Sequence, residues 1–182
     1  MALTATVFKA ALDISDLRRH HYHSYSLTLA RHPSETDERM MLRLLAFALY
    51  AHEDLEFTRG LSSTDEPDLW QKSPSGEIAL WIELGQPTVK RLRKARGLAR
   101  QTVVLSYGGR TADQWWKDNQ RELAELPTLT VIEIATAASK ALAELAQRTM
   151  NLQCTLDDDS LWLSNETTNL EIQPSVLLQA QG

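Results

Sequence analysis

Hydrophobic and polar positions alternate with a period of two toward both ends of this chain, and with helical spacing in several middle stretches. "MALTATVFKA" reads as a strand from the outset, and "TATVFKAALDIS" and "HYHSYSLTLARH" read as two strands separated by a polar turn over residues 15–19. "PSETDERMMLRLLAFALYAHEDL" then predicts the strongest helix, Ser34 to His52. Ser34 or Thr36 is placed to cap it, acids fill its first turn and its body is apolar. A hairpin follows, "PDLWQK" and "EIALWIEL" around the turn "SPSG". After a short basic helix come the strand "QTVVLSYG", the amphipathic helix "RTADQWWKDNQRELAEL", the strand "LTVIEIA" and the helix "TAASKALAELAQRT". The tail alternates again through "LQCTLDDDSLWLS" and "NLEIQPS", with "DDDS" as a hairpin turn. Strands alternating with helices predict an α/β (α+β) fold, a mixed central sheet flanked by helices. The hairpin is expected centrally in that sheet, with the Ser34–His52 helix packed across it.

Composition narrows the class. The chain has 182 residues, 43% hydrophobic and 24% charged, the balance of one ordinary globular domain spanning 1–182. No apolar stretch approaches the roughly 20 residues of a membrane-spanning helix, and no signal peptide is read at the start. The single cysteine, Cys154, has no internal partner for a disulfide, which favours a reducing, cytoplasmic setting. A net charge of −5 argues against a protein that coats nucleic acid non-specifically.

Candidate chemistry lies in acids at apolar positions. Met41, Leu42, Leu45 and Leu49 follow Glu38 at helical spacing, so Glu38 sits on the apolar stripe. Glu83 closes a strand that is apolar on both faces, and Asp68 opens the partner strand of the hairpin. A carboxylate in such a place needs a pairing cation, hydrogen bonds or a metal ion. Three acids converging at one sheet edge would offer hard oxygen ligands to Mg²⁺ or Mn²⁺. The alternative is structural: a dipole-favoured Glu38, a turn-capping Asp68 and a Glu83 paired with a buried arginine. Directly after Glu83, "GQPTVKRLRKARGLAR" holds Lys90, Arg91, Arg93, Lys94, Arg96 and Arg100 with no acid. Lys90–Arg100 is either a solvated helix face or a surface for the phosphates of DNA or RNA.

The strings "MALTATVFKAALDISDLRRHHYHSYSLTLARHPSETDERMMLRLLAFALYA", "EPDLWQKSPSGEIALWIELGQP" and "YGGRTADQWW" are long and idiosyncratic, and with them nearly the whole chain resembles the YaeQ family of bacterial proteins. The resemblance implies a divergent PD-(D/E)XK nuclease-like core carrying additional N- and C-terminal strands. It also implies a metal-dependent phosphodiesterase site with Glu38, Asp68 and Glu83 as metal ligands. That motif ends in a lysine two residues after the second acid, and here the position is Gly85. Gln86 and Lys90 are the available substitutes for the catalytic role. A nuclease-like scaffold that binds nucleic acid or protein without cutting is the other reading.

Other motifs carry less. His21 and His23 share a strand face without a third zinc ligand at local spacing. Gly108 and Gly109 suit an anion at a helix N-terminus, or simply a tight turn. Trp115, Trp116 and Cys154 read as packing residues.

Overall fold

The computed structural model describes residues 4–181, except for the side chain of Ser62. The first three residues of the predicted opening strand lie outside them. Among the described residues the architecture is a mixed α+β fold with four α-helices and two mixed sheets. The chain divides into two compact units, residues 1–49 with 137–174, and residues 50–136 with 175–182.

In the first unit, β1 (Thr6–Asp16) and β2 (His21–Arg31) form an antiparallel ribbon in full register. β8 (Thr149–Leu156) runs parallel to β1, and β9 (Leu161–Ser164) and β10 (Asn169–Ile172) continue antiparallel, giving the order β10-β9-β8-β1-β2. Phe8, Ala10, Leu12 and Ile14 are buried, and the residues between them face outward. That is the period-two signature of a sheet covered on one face. α1 (Asp37–Leu49) belongs to this unit. Every residue from Met40 to Leu49 is buried, and the Phe47 ring meets Tyr25 of β2 edge-on at 5.0 Å. The Thr36 hydroxyl caps the helix by accepting from the Arg39 amide at 3.1 Å. The expected terminal strands are present, but they join one another in a sheet of their own. The helix expected across the hairpin groups with that sheet.

The second unit holds a six-stranded sheet ordered β11-β7-β6-β5-β4-β3. β5 (Ile78–Leu84), β6 (Ala99–Ser106) and β7 (Leu129–Glu133) run parallel, joined through α2 (Val89–Leu98) and α3 (Arg110–Leu123). Such crossovers need a helix between parallel strands, which accounts for the strand-helix alternation in the sequence. The hairpin strand β4 (Leu69–Lys72) is antiparallel to β5, so β5 is an inner strand. Two short edge strands, β3 (Leu55–Phe57) and β11 (Ser175–Leu178), had no clear alternation to announce them. α4 begins at Thr136 and ends at Ala143, well before the predicted end at Thr149. No helix among the described residues is long and apolar enough to cross a membrane.

Candidate functional site

Asp68 and Glu83 come together at the carboxyl end of β5. The Asp68 amide donates to the Ile82 carbonyl at 3.0 Å, extending the β4–β5 ladder and setting Asp68 opposite Glu83. Both acids are only 5% exposed. Two carboxylates in low-dielectric surroundings need compensation, and most of it is present. An Asp68 carboxylate oxygen (Oδ2) accepts from the Leu84 amide at 2.8 Å. Glu83 Oε1 accepts from Trp81 Nε1 at 2.9 Å and from Arg91 Nε at 2.8 Å.

Arg91 organises this end of the sheet. Thr88 caps α2 by accepting from the Arg91 amide, and Val89, Leu92 and Ala95 bury the inner side of the helix. Arg91 lies one helical step from that inner side and is 31% exposed along its side chain. Its other guanidinium nitrogens donate to the Thr64 carbonyl at 2.6 Å and to the Glu66 carbonyl at 2.9 Å. One cation thus ties β5, α2 and the loop before β4 together. The Glu83 carboxyl is nevertheless pushed up from its ordinary value. Burial is the main cause and nearby Asp68 adds to it, while Arg91 and Trp81 oppose them incompletely.

Glu38 is held within the first unit, half-buried in the first turn of α1, where it accepts from Ser139 Oγ of α4 at 3.0 Å. No group of three or more His, Cys, Asp or Glu side chains placed to hold a metal ion occurs among the described residues. Of the donors expected for Mg²⁺ or Mn²⁺, Glu83 Oε1 is held by Arg91 and Asp68 Oδ2 by the Leu84 amide. Gly85 has φ 91°, a left-handed value that a lysine side chain would strain. Its amide donates to the Leu105 carbonyl at 2.9 Å, which locks that geometry. Gln86 braces the next strand end through its side-chain amide to the Tyr107 carbonyl. Lys90 is exposed on the outer side of α2.

The basic run is largely neutralised. Besides Arg91, Arg93 pairs with Glu122 at 3.0 Å, Arg100 with Glu77 at 2.9 Å and Lys94 with Asp65 at 4.0 Å. The acids that answer it come from distant positions, so local sequence showed only the positive half. The remaining motifs settle into packing roles. Trp115 is buried and donates to the Pro87 carbonyl at 2.8 Å, and Gly109 makes a tight turn in which a Cβ would meet Thr136 Oγ1 at 2.9 Å. His21 bonds the Tyr25 hydroxyl at 2.7 Å beside the His23 ring. Cys154 is buried, and burial first pushes its thiol up to about 12, which disfavours the reactive thiolate. Sequence reasoning did not single out Asp113 and Glu133, whose carboxyls meet where α3 begins and β7 ends. Burial and then Asp113 raise the Glu133 carboxyl.

This arrangement has close relatives. The crystal structure of a YaeQ protein from Xanthomonas axonopodis pv. citri superposes with a TM-score of 0.94 at 47% identity, covering 97% of this chain and 99% of that one. One from Pseudomonas syringae gives 0.92 at 33% identity, covering 98% of each. The YaeQ protein of Salmonella typhi is 47% identical over 173 residues, 95% of this chain and 96% of its own. That of Escherichia coli K12 is 45% identical over 172 residues, 94% of this chain and 95% of its own. The YaeQ family model matches residues 1–174, and the chain belongs to the YaeQ family.

Proposed function

We propose that this chain is a nuclease-like scaffold that works by binding rather than by phosphodiester hydrolysis. The observation that carries this reading is Arg91, whose guanidinium bonds Glu83 where a metal-dependent hydrolase would need the carboxylate free. Three features support it. Gly85 replaces the motif lysine in a conformation that favours glycine, Gln86 is committed to the Tyr107 carbonyl, and Lys90 extends from the exposed side of α2. The charge pairing along α2 and into β6 favours a protein partner over DNA or RNA, since a phosphate backbone would rely chiefly on Lys90 and Arg96. A cytoplasmic setting is part of the same reading, supported by the buried free thiol of Cys154.

The test is a cleavage assay on labelled duplex DNA, single-stranded DNA and RNA with Mg²⁺ and with Mn²⁺, run beside melting curves in the same ions. The expected result is intact substrate and no cation-dependent rise in melting temperature. Mn²⁺-dependent cleavage that disappears in Glu83→Gln overturns the proposal in favour of a hydrolase.

A further inference from the structure

The five-stranded sheet of the first unit has one open face, and its side chains form a polar trough. Strand register maps it directly. Ser24, Asp13, Gln153 and Ser164 lie in one row across the sheet, and Ser26, Ala11 and Asn151 in the next. A third row holds Thr28, Lys9 and Thr149. Three hollows of roughly 370, 330 and 260 Å³ indent this face, and all three are lined by Asn151. Ala11 and Ser26 keep the floor low because neither side chain reaches far. The 165–168 turn makes the rim, fixed by Asn165 Oδ1 accepting from the Thr167 amide at 2.9 Å and the Thr168 amide at 2.8 Å.

The chemistry of the lining selects its occupant. Ser26, Thr28, Thr149, Asn151 and Gln153 make no side-chain hydrogen bond among the described residues, so amide and hydroxyl donors and acceptors stand uncommitted. Asp13, whose Oδ1 accepts from the Ser24 hydroxyl at 2.6 Å, and Glu166 add carboxylate acceptors, and Lys9 is the cation on the mapped rows. More negative than positive charge disfavours nucleic acid and other anions. The openness and polarity of the hollows disfavour an apolar small molecule, whose pockets are mostly apolar and enclose the ligand. A hydroxyl-rich neutral chain matches both constraints: its hydroxyls donate to carboxylates and accept from amides. Half-buried Trp162 lies on the same face in the row beyond Gln153 and Ser164, outside the lining of the three hollows. From Thr149 to Thr155 the floor runs about 20 Å at strand spacing, which suits a short oligomer better than a single sugar.

We infer that this open face is a binding site for a neutral oligosaccharide, seated across Asn151. The site lies in the first unit and does not depend on the acid pair or on whether that pair hydrolyses anything. The test is a backbone-amide NMR titration of the full chain with maltohexaose, cellohexaose and chitohexaose, each to about 10 mM, a range that detects weak binding. Saturable shifts centred on Asn151, Gln153 and Thr28 with at least one of the three are expected. Asn151→Leu, which fills the floor, and Gln153→Ala should each weaken that binding about tenfold at unchanged melting temperature. The inference is overturned if none of the three shifts these amides, or if the shifts map elsewhere. It is equally overturned if both folded variants bind like the wild type, or if a dodecamer of single-stranded DNA produces the same shifts.

Discussion

Two buried carboxylates show how differently one chain can treat the same chemical group. Asp16, at the end of β1, is 0% exposed, and burial alone would raise its carboxyl. Arg18 and Arg19 overcome that and hold it at about 2. Arg18 reaches it from its amide, Nε and Nη2, and Arg19 from Nε at 2.9 Å. Arg18 also donates to the Leu49 carbonyl at 2.9 Å, linking the turn to the end of α1. Glu83 is nearly as buried, yet its carboxyl moves upward. One arginine and one indole cannot offset its burial and the facing Asp68. Asp16 is a fully compensated structural ion. Glu83 sits in a site that holds its negative charge at a cost, which is how sites of function are commonly built.

The largest expected effect is at Asp16. Asp16→Asn leaves two arginines converging on a neutral group and should cost about 3 kcal/mol, the lower end for a broken buried pair because both arginines keep some exposure. In the wild type, a folded value below 3.8 means stability that is present above that pH and lost as pH falls toward about 2. Urea melts over that range should show the loss, and Asn should remove its pH dependence. A cost near zero would reduce Asp16 to an ordinary surface acid.

Arg91→Ala comes next, at about 2 kcal/mol. It removes the bonds to Glu83 and to two loop carbonyls, but Glu83 can escape part of the penalty by taking up a proton. Chemical denaturation measures the cost, and faster amide exchange at residues 64–66 should accompany it. Unchanged exchange there would mean that Arg91 does not hold the loop.

Glu83→Gln should change stability least, by under about 1 kcal/mol, because the amide keeps an oxygen for Trp81 and Arg91. Its pH signature should be opposite to that of Asp16. With the folded value raised, the wild type loses stability as pH climbs past 4.5, and the glutamine variant should not. Parallel slopes for the two variants would erase the distinction drawn between these acids.

The sequence by itself determined the elements with strong periodicity. The β1–β2 pair, the capped α1, the hairpin and the β5-α2-β6-α3-β7 alternation follow from side-chain period, capping residues and turn chemistry, all of which act over a few positions. Burial of Asp68 and Glu83 was legible for the same reason, since acids interrupt otherwise apolar strands. Asp16 was not, because a strand ending in Ser-Asp before two arginines looks like a polar turn. Tertiary structure alone decided that the terminal strands make a separate sheet, since register between β1 and β8 joins residues some 140 positions apart. It also decided which cation answers which acid. An ion pair depends on where two side-chain ends meet in space, so the sequence could offer an arginine partner for Glu83 without saying which, and the positive run over residues 90–100 could not reveal that Glu122, Asp65 and Glu77 would fold back upon it.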